Sequence, residues 1–267
     1  MTIEWLLIYV ALGALIGLIA GLFGVGGGFI TTPLLVIAFA AQNLPNENLI
    51  HLALGTSFAC IVFTSLSSLI AHHRHGAVLW NVVRWMGPGL LAGTLIGTQF
   101  VSYVPQRTLA IIFTAVAYCI ATQILLNAKP KPTRQLPGNT ILLGVGGIIG
   151  MVSSLVAAGG GFLSIPFMTM CNVQMHKVVG TSSALGFPIA IAGAIGYMWI
   201  GLNEPNLPAH SIGYVYLPAL LGVVIASMTL APLGAKLAHR LPAATLKRLL
   251  ALLLYGLATK MLWTVLH

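Results

Sequence analysis

Two stretches of the chain, GLFGVGGGFITTPLL at 21–35 and SLVAAGGGFLSIPFM at 154–168, are near copies of each other. Their GGGF cores begin at Gly26 and Gly159, an offset of 133 residues. Each core follows a long apolar run and interrupts what would otherwise continue as one helix. Broken helices at corresponding places in two hydrophobic halves are typical of secondary transporters, where they mark the substrate site.

The composition is that of a membrane protein. Of the 267 residues, 58% are hydrophobic and 6% are charged, whereas soluble domains carry about 25% charged residues. Apolar runs of about 18 residues or more recur along the chain, and each is long enough to span a bilayer. These runs predict an all-α polytopic membrane protein, since a β-barrel would instead show short segments of alternating hydrophobicity.

Both halves show the same order of features. A long apolar helix is followed by the glycine break, a short helix, a turn with a histidine, a long helix that opens with a Gly-Thr-Ser triplet, and two further helices. The triplets lie at 55–57 and 180–182, and the polar stretch NAKPKPTRQLPGN at 127–139 joins the halves. The matching order indicates an internal duplication. We therefore predict a first transmembrane repeat at 1–127, a linker at 128–139 and a second transmembrane repeat at 140–267.

The basic residues predict the orientation in the membrane. If the segments 28–40 and 160–171 return to the side from which they came, every Lys and Arg except Arg107 and Lys260 lies on one side. The positive-inside rule makes that side the cytoplasm. The net charge of +9 is then explained by loop topology, and we expect no nucleic acid partner.

This topology makes the two halves inverted repeats. Each half is a broken-helix hairpin plus three transmembrane helices, an odd number of crossings, so the halves have opposite orientations. Both termini are then outside the cell and the linker is cytoplasmic. Segment 28–40 would extend about 20 Å at ~1.5 Å per residue, short of the ~30 Å hydrocarbon core. Two full spans stay open as the alternative.

The glycine breaks predict an anion site. A helix that begins at Gly28 or Gly161 presents unpaired N–H groups and the positive end of its dipole, and both attract anions. Hydroxyl groups lie within a turn of each break and again in the triplets. We predict that the following residues bind substrate: Gly27, Gly28, Phe29, Thr31, Thr32, Thr56, Ser57, Gly160, Gly161, Phe162, Ser164, Thr181 and Ser182. The alternatives are a tight turn without a ligand for the glycine runs, and hydroxyls that satisfy neighbouring backbone for the triplets.

The titratable residues narrow the choice of substrate. No Asp or Glu falls within a predicted span, which argues against a carboxylate-lined cation site and favours anions or neutral solutes. His51 and His176 each precede a triplet by four residues. They are candidates for proton coupling because histidine titrates near neutrality, with a polar interfacial cap as the alternative. We expect no metal and no cofactor.

The two quoted stretches and the triplets resemble the TauE/SafE family of sulfite and organosulfur exporters over essentially the whole chain. The second stretch departs from the first at Ser154 and Ala157, which stand where the first has Gly21 and Gly24. The resemblance implies transport of small sulfur-containing anions, such as sulfite, thiosulfate or sulfonates like sulfoacetate, across a bacterial inner membrane. It names neither one substrate nor a direction, and export is our working expectation.

Three functions stay open on the sequence. The first is a secondary transporter that works by alternating access, the second a passive anion channel, and the third a membrane scaffold subunit. We expect no enzyme, because no Ser/His/Asp set lies at workable positions and no polar stretch is long enough for a soluble catalytic domain. The expected partners are a small anion and the lipid bilayer, and a homo-oligomer stays open.

Overall fold

The structure, a computed structural model, describes residues 3–23, 28–126, 135–159, 161–238 and 243–266. These residues form ten α-helices, a 3-10 turn at Asn46–Asn48 and one small antiparallel hairpin. The helices are α1 (Ile3–Phe23), α2 (Gly28–Ala41), α3 (Leu49–Arg74), α4 (Trp80–Val101), α5 (Gln106–Leu125), α6 (Asn139–Val156), α7 (Gly161–Met170), α8 (Met175–Gly201), α9 (Leu217–Ala238) and α10 (Ala243–Leu266). The hairpin, β1 (Ser211–Ile212) and β2 (Val215–Tyr216), precedes α9 and was not expected from the sequence.

The helices are those of a multi-pass membrane protein. Six of them, within the residues that the structure describes, are long and apolar enough to cross a membrane. The prediction of an all-α polytopic fold is therefore confirmed. The helices after the glycine breaks are short, with 14 residues in α2 and 10 in α7. Their lengths of about 21 and 15 Å suit re-entrant segments, which remain a prediction.

The second glycine break has an unusual backbone. Ala157, at the end of α6, adopts the left-handed conformation with a φ of 44°, and Gly159 follows with a φ of 61°. Glycine reaches this region freely, whereas alanine does so at a steric cost. The left-handed turn ends α6 and redirects the chain into α7. The corresponding residues of the first break, 24–27, lie outside the described residues.

The main contacts between helices map onto one another when the two halves are interchanged. α1 packs on α9 and α4 packs on α6, so each contact joins the first helix of one half to the fourth helix of the other. α3 packs on α8 and α5 packs on α10, so each of these helices contacts its own counterpart. These four pairs are those that a two-fold relation between the halves would produce, and that relation remains a prediction.

Glycines bring the first and fourth helices together. A Cβ on Gly13 of α1 would lie 2.6 Å from the backbone of Val223 in α9, and one on Gly146 of α6 would lie 2.4 Å from the carbonyl oxygen of Met86 in α4. Small residues at these positions let two backbones approach closely without lipid between them. The regular spacing of glycines along α1 and α6 thus serves helix packing.

The last helices of the two halves run antiparallel. The Tyr118 hydroxyl of α5 lies 2.6 Å from the Thr259 hydroxyl of α10. Farther along α5, Thr122 pairs with Tyr255, which comes earlier in α10. Antiparallel counterpart helices are what inverted repeats require. The inversion of the complete halves remains a prediction.

Candidate anion site at the glycine breaks

The first residue of α2 lies against the second glycine break in the interior of the protein. A Cβ on Gly28, the first residue of α2, would lie 1.9 Å from the carbonyl oxygen of Ala157. Ala157 is fully buried at the end of α6, and Gly28 is buried too. The first turn of α2 in one half therefore abuts the break of the other half.

Two buried pairs of hydroxyl groups flank the breaks. The Thr32 hydroxyl of α2 donates a hydrogen bond of 2.9 Å to the Ser57 hydroxyl of α3. In the second half, the Ser164 hydroxyl of α7 and the Ser182 hydroxyl of α8 also lie 2.9 Å apart. None of the four side chains is more than 3% exposed. Each pair links a short broken helix to the long helix that follows it.

The second pair lies directly beside its break. A Cβ on Gly161, the first residue of α7, would lie 3.6 Å from the Ser182 hydroxyl oxygen. The first residue of α7 and the Ser182 hydroxyl are therefore neighbours, and anion binding at this place stays a prediction. A hydroxyl group carries one donor and two acceptor positions, so a paired hydroxyl still has capacity for a ligand.

The other predicted residues near the breaks are placed as follows. The ring of Phe29 packs against that of Phe113 in α5, with the ring centroids 5.8 Å apart. Thr31 is buried in α2. Gly27 and Gly160 lie outside the described residues, as does the side chain of Phe162. Their contact with substrate stays a prediction.

The threonines of the two triplets bind backbone of the opposite half. Thr56 accepts a hydrogen bond of 3.0 Å from the N–H of Tyr216, the residue before α9. Thr181 accepts one of 2.9 Å from the N–H of Leu79, the residue before α4. Backbone satisfaction was the alternative that the sequence left open for the triplets. Substrate contact by these two residues stays a prediction.

The glycines of the triplets leave room for the two segments that the threonines bind, the one before α9 and the one before α4. A Cβ on Gly55 would lie 2.2 Å from the carbonyl oxygen of Tyr214, and one on Gly180 would lie 2.5 Å from that of Ala77. Each triplet therefore has three roles: its glycine makes room for a segment of the opposite half, its threonine binds an N–H of that segment, and its serine faces the broken helix of its own half. Sequence reasoning missed the first role, although a glycine at the same place in both halves was the available signal.

The two candidate histidines lie in different environments. His51 is 5% exposed, and its Nε2 lies 3.4 Å from the carbonyl oxygen of Val101. Its Nδ1 is buried without a hydrogen-bond partner in the described part of the chain. His176 is exposed at the start of α8. Equal spacing from the triplets therefore does not give equal surroundings.

A polar cluster beside His51 joins the two halves. Asn48, just before α3, donates a hydrogen bond of 3.2 Å to Glu204 in the loop after α8. It also accepts one of 3.4 Å from the hydroxyl of Tyr214, whose ring lies 5.3 Å from that of His51. Burial and the neighbouring Glu204 carboxylate raise the pKa of Tyr214 above its usual value. We refer to Asn48, Glu204 and Tyr214 as the inter-half cluster.

These features define a class of protein, a polytopic α-helical membrane protein in which a short helix, α2, begins against a glycine break in the interior. The profile of the family "Sulfite exporter TauE/SafE" matches residues 9–261. The chain belongs to this family.

Relatives with curated names agree with this class. A "Probable membrane transporter protein" of Haemophilus influenzae is 35% identical over 97% of this chain and 98% of its own length. The "Probable membrane transporter protein YdhB" of Bacillus subtilis is 29% identical over 87% of this chain and 90% of its own. A further relative, from Methanocaldococcus jannaschii, is 26% identical over 92% of this chain and 91% of its own, and carries a name of the same kind. No solved structure matches the chain significantly.

Proposed function

We propose that the protein is a secondary transporter that exports small sulfur-containing anions, such as sulfite, thiosulfate or short sulfonates, across a bacterial inner membrane by alternating access. The contact of Gly28 with Ala157, which brings the two breaks together, carries this proposal. The family name supports the choice of a sulfur oxyanion, and the names of the relatives support a membrane transporter.

The chemistry at the breaks suits an anion. The N-termini of α2 and α7 offer N–H groups and the positive ends of helix dipoles. The Thr32–Ser57 and Ser164–Ser182 pairs add hydroxyl donors. Helices α2, α3, α7 and α8 contain no Asp or Glu, so no carboxylate repels a negative charge there. In a low-dielectric interior such donors are the ordinary means of holding an oxyanion.

Alternating access requires the two halves to move relative to each other around the site. The inter-half cluster ties the start of α3 to the loop after α8, so opening at that end of the molecule must separate Asn48 from Glu204. His51 lies against the same cluster and is the residue that we assign to proton coupling. In the predicted topology this end faces the outside of the cell, and the linker and most basic residues face the cytoplasm.

The first test is counterflow in proteoliposomes. Vesicles loaded with unlabelled sulfoacetate or thiosulfate should take up the ³⁵S-labelled anion transiently and saturably, whereas empty vesicles should not. Acetate and phosphate serve as anions without sulfur, and protein-free vesicles measure the leak. Non-saturating flux without counterflow would identify a channel instead. The absence of any flux of sulfur anions would overturn the proposal.

A further inference from the structure

One apolar side chain lies against both glycine breaks. Ile61 of α3 is 2% exposed. Its Cδ1 atom lies 2.7 Å from the position that a Cβ on Gly28 would occupy, and its Cγ2 atom lies 3.9 Å from the corresponding position on Gly159. Gly28 opens the short helix of the first half, and Gly159 belongs to the break of the second half. Ile61 is thus wedged where the two halves of the candidate site meet.

Ile61 also shares a helix face with one of the hydroxyl groups. It follows Ser57 by four residues on α3, which places the two side chains one turn apart on the same side of the helix. Ser57 forms the buried hydrogen bond with Thr32 of α2. The face of α3 that is directed toward the breaks therefore presents a hydroxyl group and, next to it, a branched apolar side chain.

The counterpart of Ile61 in the second half has no side chain. Ser182 follows Ser57 by 125 residues, and the same offset leads from Ile61 to Gly186. Gly186 is buried in α8. Each half thus carries a buried hydroxyl pair, but the two halves differ in bulk beside it, with four side-chain carbon atoms on the α3 side and none on the α8 side.

We propose that Ile61 determines which anions the site accepts by limiting the size of the group attached to the anionic head. This inference rests on the proposed function. Inorganic sulfur oxyanions and sulfonates with a short substituent fit beside Ile61, whereas branched-chain or aromatic sulfonates meet its side chain. The packed surroundings do not yield to such a ligand, because added volume in a close-packed interior forces strain on neighbouring groups.

The test compares substituents of increasing size on a constant head group. Methanesulfonate, butanesulfonate and benzenesulfonate compete with labelled substrate in the counterflow assay, and the ratio of their inhibition constants is measured for each variant. Ile61→Ala should improve the inhibition constant of benzenesulfonate relative to that of methanesulfonate by about tenfold or more, because one methylene of space in a hydrophobic pocket already changes discrimination by about tenfold or more. Ile61→Val should give an intermediate ratio.

Two further variants make the result decisive. Ile50→Ala removes the same atoms from an equally buried isoleucine at the far end of α3 and should leave the ratio unchanged. Gly186→Ala should shift the ratio of inhibition constants in favour of methanesulfonate, the smallest of the three sulfonates. If Ile61→Ala does not fold, the Gly186→Ala and Ile61→Val variants together test the inference. An unchanged ratio in folded, transporting Ile61 variants would overturn the inference. Failure of the wild-type protein to transport any sulfur anion would instead overturn the proposed function, and this inference with it.

Discussion

The carbonyl oxygen of Ala157 lies 1.9 Å from the position that a Cβ on Gly28 would occupy. Gly28 begins α2 in the first half and Ala157 ends α6 in the second, so the backbones of the two halves approach closely at this point. Gly161 opens α7 in the same way. A Cβ on Gly161 would meet two side-chain atoms, and the closer of them would lie at 3.5 Å. Similar positions in the sequence thus tolerate added atoms very differently.

Replacing Gly28 with Ala should therefore destabilise the protein, whereas Gly161→Ala should be tolerated. The methyl group on residue 28 would meet a backbone carbonyl that cannot rotate away, and overpacking of this kind costs about 1–3 kcal/mol. The melting temperature of the purified protein in detergent measures the effect. Gly87→Ala, where a Cβ would meet open space, is the control. Equal melting of the Gly28 and Gly161 variants would contradict the close contact of the breaks.

Removing a hydroxyl from either pair should weaken transport. Ser57→Ala and Ser182→Ala each delete one partner of a buried 2.9 Å pair, and a hydrogen bond to a charged ligand contributes about 1.5–3 kcal/mol. We expect KM for the anion to rise about 10- to 100-fold, measured as initial rates of uptake. Ser102→Ala removes an exposed hydroxyl that bonds only within its own turn and should have no effect.

The double variant Thr32→Val/Ser57→Ala separates binding from stability. Removing both hydroxyls leaves no unpaired polar group, so folding should suffer less than in the single Ser57 variant. Transport should stay impaired, because the ligand has still lost its hydroxyl contacts. Recovery of transport together with stability would show that the pair is only structural.

The triplet threonines should contribute chiefly to stability. Thr56→Val and Thr181→Val leave the N–H groups of Tyr216 and Leu79 without their side-chain acceptors, at a cost of about 1–3 kcal/mol each. The Thr→Ser variants keep the hydroxyl and should restore most of the loss in melting temperature. Thr64→Val, whose hydroxyl bonds only carbonyls of its own helix, is the matched control. If Thr64→Val lowers the melting temperature as much as Thr56→Val and Thr181→Val do, the hydrogen bonds between the halves do not stabilise the protein more than a bond within one helix does.

Locking the inter-half cluster should stop transport. Asn48→Cys and Glu204→Cys, joined by a short cleavable crosslinker, would fix the start of α3 to the loop after α8, where the native side chains bond at 3.2 Å. The background carries Cys119→Ser, because Cys119 is exposed while Cys60 and Cys171 are buried. Counterflow should cease on crosslinking and return after cleavage, and each single-cysteine variant should be unaffected. Full transport in the locked protein would rule out opening at this end.

The repeat, the spans and the positions of the breaks followed from the sequence. Hydropathy is a sum over neighbouring residues, and three consecutive glycines end a helix wherever they occur, so both signals are local. The offset of 133 residues between the GGGF cores predicts the duplication without knowledge of any contact. For the same reason the boundaries of α2 and the start of α7 agree with those predicted to within one residue.

Only the tertiary structure decided what each residue of a repeated motif contacts. Thr56 and Tyr216 are 160 residues apart, and no local pattern indicates that they meet. His51 and His176 occupy equivalent places in the sequence, yet one is buried beside Tyr214 and the other is exposed. A sequence repeat specifies equal backbones, whereas the surroundings of a side chain depend on the segments of the opposite half that pack against it. Those segments, the loop before α4 and the hairpin before α9, differ between the two halves.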